Sequence, residues 1–201
     1  MKIGILGGSF DPIHNGHLHM AKQVLKEYEL DKIIFMPAGH SPNKSETEMT
    51  PADIRLTMVQ IALEGTKDLE ASSLEVDSEE RSYTYRTLQK LSEAYPNDDF
   101  YFIMGADSLD YFDQWYHPEI ICQLATILVV NRDEFSYEDL SGKIGQIKCL
   151  FPANIRIVSC EKYDISSRKL RDWIKKGENV SEYIPKNVLS YIKEHQLYRG
   201  A

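Results

Sequence analysis

The sequence predicts an α/β fold: one domain built on a mostly parallel, doubly wound sheet. Three observations carry this. Short apolar runs alternate with segments of helical periodicity along the whole chain. The runs are apolar throughout rather than alternating, as in strands buried on both faces. At 201 residues the chain can fill one full core of this kind but is short for two.

The first strand is Ile3 to Leu6, followed by Gly7-Gly8. Glycines there allow a tight turn and let a ligand approach the backbone. A helix begins near His17, with Leu18, Ala21, Leu25 and Tyr28 at spacings of three and four. Strand, glycine turn and helix N-terminus together make a phosphate socket, where free N–H groups meet the positive end of the helix dipole. Lys32 to Met36 is the second strand, stopped by Pro37, and a polar loop runs from His40 to Glu46. Thr50-Pro51 reads as cap and first helical residue, with Ile54, Met58, Ile61 and Ala62 on the buried face and Gly65 at the end.

Leu69 to Val76 is strand-like, and Arg81 to Thr84 leads into a helix through Leu88 and Leu91. Phe100 to Met104 is the most apolar strand, broken by Gly105. Short helices are expected over Ala106 to Phe112 and Pro118 to Leu124, flanking Trp115. Ala125 to Val130 and Ile155 to Val158 are strands, with a helix between them around Tyr137 to Ile147. The tail, 165–201, carries two helices, Ser166 to Lys176 and Pro185 to His195. Ligands of such sheets bind beyond the carboxyl ends of the strands, where the glycine turns fall.

The net charge of −8 argues against a nucleic-acid partner, which calls for a basic face. No stretch approaches the roughly 18 apolar residues of a membrane span, so no membrane partner is expected. Cys122, Cys149 and Cys160 are scattered and form no C-x-x-C, which reads as reduced thiols in a cytoplasmic protein.

Several residues could carry chemistry. His14 and His17 sit where a phosphate would rest; the competing readings are a surface pair, or a metal pair with His19, which lacks further ligands at suitable spacing. Asp107, after the most apolar strand, can accept from ribose hydroxyls or cap a short helix. Ser166 and Ser167 open a helix as a second anion site, with Arg171 one turn on, unless they merely cap a basic surface helix. Trp115 can stack on a flat ring or belong to the core.

Gly8-Ser9-Phe10-Asp11-Pro12-Ile13-His14-Asn15-Gly16-His17 resembles the H-x-G-H signature of the nucleotidyltransferase superfamily. Ser82-Tyr83-Thr84, Gly105-Ala106-Asp107, Trp115-Tyr116, Ile165-Ser166-Ser167 with Arg171, and the Tyr183-Ile184-Pro185 ending narrow it to the nicotinate-nucleotide adenylyltransferases. The resemblance spans the chain and implies a Rossmann-like domain over 1–201. It also implies transfer of AMP from ATP to nicotinate mononucleotide, with Mg2+ screening the triphosphate.

By the same resemblance His14, His17, Lys44 and Arg171 would be catalytic. Gly8, Ser9, Phe10, Gly105, Asp107, Ile165, Ser166 and Ser167 would hold the nucleotide, and Thr84, Trp115 and Tyr116 the pyridine. No protein-bound metal is implied; self-association is, although the sequence does not locate its surface. Four departures stand out: Asn43 before Lys44 where the family has histidine, Arg86 for an acid, Arg168 for threonine, and Asp133-Glu134 for Pro-Gly. The rivals are nicotinamide mononucleotide or another phosphate acceptor, and a nucleotide-binding module without catalysis.

Overall fold

The computed structural model describes residues 1–41, 49–131, 135–161 and 163–199. Six strands form a single parallel sheet: β1 (Lys2–Gly8), β2 (Lys32–Pro37), β3 (Leu69–Ala71), β4 (Asp99–Gly105), β5 (Ala125–Asn131) and β6 (Ile155–Ser159). Their order is β3-β2-β1-β4-β5-β6, so the winding reverses between β1 and β4. Gly8 at the end of β1 lies opposite Pro37, and Gly105 at the end of β4 lies opposite Val130. Ligands of such sheets bind in the crevice beyond this reversal.

Helices α1 (Asn15–Glu27), α2 (Ala52–Leu63), α6 (Ser167–Lys175) and α7 (Lys186–Glu194) pack on one face of the sheet. On the other lie α3 (Thr84–Ala94), α4 (Pro118–Leu124), α5 (Tyr137–Leu150) and the 3-10 segment Ala106–Gln114. Two apolar layers result. The first gathers Phe10, Phe35, Met58 and Leu170, the second Ile5, Phe102, Phe112 and Val129. Each fully buried side chain contributes about 1.5–3 kcal/mol, which makes the sheet a stiff base for the turns at its edge.

Three local expectations are corrected. The third strand ends at Ala71, not Val76. Ser72 makes a last N–H bond to Phe35 O, after which Ser73 and Asp77 close a turn that lifts the chain off the sheet. Helix α2 starts at Ala52 with Pro51 as its cap, so Thr50 is not the cap; its N–H donates to the Asp11 carboxylate instead. The buried face of α2 is also rotated from the expected one: Arg55, Met58, Val59 and Leu63 are buried, while Ile54 and Ile61 are only partly so. Among the described residues no helix is long and apolar enough to cross a membrane.

Candidate active site

The turn after β1 is built around Phe10. Its φ of +48° is left-handed, costing about 1–2 kcal/mol for a residue with a Cβ. Burial of the ring, 2% exposed, offsets that by about as much or more. The ring meets that of His17 edge-on, centroids 5.1 Å apart, so Phe10 supports a candidate phosphate ligand from below.

His14 caps α1 and is 2% exposed. Its N–H donates to His17 Nδ1 at 3.3 Å, and the two rings stack with centroids 3.7 Å apart. This is the reciprocal geometry of a capping box, with histidine as its third helical residue. With Nδ1 accepting, the ring proton of His17 sits on Nε2, the nitrogen left to donate. Gly16 suits this packing, because a Cβ there would lie 3.1 Å from the His14 ring and 3.2 Å from Tyr163, and both rings would have to give by a few tenths of an ångström.

The start of α6 folds onto the same turn. Ser166 caps α6 by accepting from the Lys169 N–H at 3.2 Å. The Ser167 hydroxyl donates to Pro12 O at 2.9 Å, and Arg171 Nη1 donates to Asp11 O at 2.6 Å. Adjacent carbonyls of the histidine turn thus hold side chains one helical turn apart on α6, as the spacing predicted. Arg168 is exposed. Ile165 contributes packing: its side chain is in the core and its N–H donates to Tyr163 O. Lys44 lies outside the described residues, as do Asn43 and the segment 132–134.

Two groups to which the motifs assign no role organise the turn. Asp11 is 3% exposed; its Oδ1 accepts from the Tyr198 hydroxyl at 2.7 Å and its Oδ2 from the Thr50 N–H at 3.3 Å. Arg171 Nη1 is 3.8 Å from that same Oδ2. Burial, then the charge of Asp11, pushes the Tyr198 hydroxyl far above the usual phenol range, so it remains a donor. Tyr198→Phe removes that donor from a buried carboxylate and is expected to cost about 2 kcal/mol of stability. Urea unfolding measures this; a loss below about 0.5 kcal/mol would show that Asp11 does not depend on Tyr198.

The other group is Arg55, 1% exposed. Its Nε donates to Thr50 O (2.8 Å), Nη1 to Ser9 O (2.7 Å) and Nη2 to Ala38 O (2.6 Å). Burial lowers its pKa and the Asp11 charge partly restores it.

A cleft of about 530 Å³ runs from Gly7-Gly8-Ser9 past Ala38 to Thr84, Trp115 and Tyr116. Its far end is aromatic. Tyr116, 56% exposed, stacks on Tyr83 with centroids 4.9 Å apart, and Trp115 packs on Phe102 and Phe112. Thr84 begins α3 and lines this end; in the helix's first turn the Arg86 and Thr87 N–H groups donate back to Tyr83 O. Glu75 lines the floor and accepts from the Thr87 hydroxyl at 2.5 Å; burial pushes its carboxyl up, against the pull of Thr87 and Ser82. Gly39 has to be glycine here, since a Cβ would lie 2.1 Å from Glu75 O. Asp107 sits in the first turn of the 3-10 segment, exposed, and among the described residues nothing hydrogen-bonds to its carboxylate. Arg86, the departure from the expected acid, is held by the Tyr85 hydroxyl (2.8 Å) and Glu80 (3.4 Å). No group of three His, Cys, Asp or Glu among the described residues could hold a metal.

The parallel sheet brings histidine and arginine side chains to one turn beside its switch point, and the chain belongs to the cytidylyltransferase-like family, whose model matches residues 5–172. Its full-length relatives are more particular. The protein named "Probable nicotinate-nucleotide adenylyltransferase" in Clostridium tetani is 39% identical over 198 residues, 98% of this chain and 99% of that one. Its namesake in Clostridium botulinum strain Okra is 38% identical over 97% of this chain and 98% of its own. Within the family, then, the chain is one of the nicotinate-nucleotide adenylyltransferases. The fold agrees with that of the Plasmodium falciparum nicotinic acid mononucleotide adenylyltransferase solved in complex with NaAD. That structure superposes with a TM-score of 0.79 over 98% of this chain and 97% of the other, at 24% identity.

Proposed function

We propose that this protein joins AMP from ATP to nicotinate mononucleotide, releasing pyrophosphate and forming nicotinate adenine dinucleotide for NAD synthesis. The observation that supports this is the cleft in which Gly7, Gly8 and Ser9 of the turn after β1 share one space with Thr84, Trp115 and Tyr116; His14, His17 and Arg171 belong to the same turn and the helix packed on it but are not among the residues lining that space. The acceptor's phosphate oxygen attacks the α-phosphorus in line, and the bond from that phosphorus to the β-bridging oxygen breaks. A phosphate is already an anion at neutral pH, so no general base is needed, and positioning and charge stabilisation carry the reaction.

His17 Nε2–H, with His14 behind it, steadies the α-phosphate oxygens. Arg171 and the N-terminus of α6, together with Lys44, hold the leaving pyrophosphate. Gly8 and Ser9 border the nucleotide, while Gly105 and Asp107 hold its ribose. ATP enters as its Mg2+ complex, the cation screening charge between phosphates. The pyridine lies against Trp115 and Tyr116, with Thr84 and the start of α3 at its carboxylate.

Pyrophosphate release from purified protein given Mg2+, ATP and nicotinate mononucleotide tests the reaction; none would overturn it. Thr84→Val tests the acceptor pocket. It should raise KM for nicotinate mononucleotide about tenfold, the worth of one hydrogen bond to a charged group, and leave KM for ATP unchanged. Equal weakening of both substrates would take Thr84 out of that pocket.

A further inference from the structure

One basic and one acidic residue, Arg81 and Glu75, are among those lining the cleft, along with Ser82, Tyr83 and Thr84. They do not neutralise each other through an ion pair. Glu75 is taken up by the hydroxyl of Thr87, and its burial disfavours the charged form. Arg81 has no carboxylate within ion-pair distance among the described residues. Its neighbour Glu80 is shared instead by Arg86 at 3.4 Å and Lys90 at 3.5 Å.

Arg81 is nevertheless fixed in place through its backbone. It forms a bridge with His40, the Ser82 N–H donates to His40 O at 2.9 Å, and the Tyr83 N–H donates to Arg81 O at 2.9 Å. This holds the side chain's root at the cleft, two residues before the stacked Tyr83 and three before Thr84.

A flat aromatic pocket with an uncompensated cation suits an aromatic ring bearing a carboxylate. A neutral carboxamide gains the stacking but not the charge. We propose that Arg81 is a specificity-determining residue, whose guanidinium makes the cleft prefer the acid form of the pyridine mononucleotide over the amide. This rests on the reading of the cleft as the acceptor site, and it adds the residue that chooses between two acceptors of nearly equal shape.

Initial rates at saturating ATP, with nicotinate and nicotinamide mononucleotides compared for wild type, Arg81→Gln and Arg81→Lys, test it. For Arg81→Gln, KM for the acid should rise about tenfold, between the small effect of a rim charge and the large one of a buried pair. Its kcat, and KM for the amide and for ATP, should stay within about twofold, and Arg81→Lys should keep most of the preference. Raising salt from about 0.1 M to about 1 M should erode the preference in wild type but not in Arg81→Gln, because screening acts only on the charge pair. A preference unchanged in Arg81→Gln, or a loss shared equally by both acceptors, overturns the role of Arg81 while leaving the reaction standing. Wild type that adenylylates neither mononucleotide overturns the functional reading and this inference together.

Discussion

Replacing His17 with alanine is expected to lower kcat about a hundredfold, on the order of 3 kcal/mol in the barrier, with KM for either substrate little changed. The reason lies in how the ring is held. Its Nδ1 accepts the His14 N–H, its face stacks on the His14 ring, and its edge meets Phe10. A donor aimed in this way needs no reorganisation as charge builds on the α-phosphate, so removing it costs the transition state more than the ground state. The fold should tolerate the change, since one capping contact is worth about 1 kcal/mol. Steady-state kinetics on the folded variant check this; turnover within about tenfold of the parent would show that another group supplies the main donor.

Arg55→Ala should have the largest effect on stability. The side chain binds carbonyls from three separate segments: the glycine turn at Ser9, the end of β2 at Ala38, and the approach to α2 at Thr50. Removing it strands those carbonyls and takes a cation from the neighbourhood of the buried Asp11 carboxylate. The expected loss is about 4 kcal/mol, or roughly 8–16 °C in Tm for a chain of this size. Arg55→Lys should recover little, because an ammonium cannot reproduce a planar fork that spans three chain segments. Denaturant unfolding decides; a loss under about 1 kcal/mol would mean that water replaces the guanidinium.

The contrast between these two residues shows what the sequence discloses. The places of His17 and Arg171 in the fold were legible because they depend on local spacing: a turn followed by a helix start, and a serine followed by an arginine one turn on. Five of the six strands were legible for a related reason, since apolar runs buried on both faces look alike wherever they occur. Arg55 was not legible. On a helical wheel it is a charged residue on an otherwise apolar side, and only the three carbonyls reaching it from distant segments turn that conflict into a satisfied arrangement.

The bond between Asp11 and Tyr198 was hidden in the same way, the two being 187 residues apart. The overestimate of the third strand was a failure of another kind. Nothing in Leu69 to Val76 shows that Glu75 must leave the sheet to pack its backbone against Gly39. Contacts made across the fold leave no periodic trace in the chain.

The two apolar layers divide the labour of the molecule. The histidine turn, Arg55, Arg171 and Tyr198 are rooted with α1, α2, α6 and α7 on one side of the sheet, while the aromatic wall of α3 and the 3-10 segment is rooted on the other. A repacking of either layer therefore reaches the opposite wall of the cleft only by way of the strands they share.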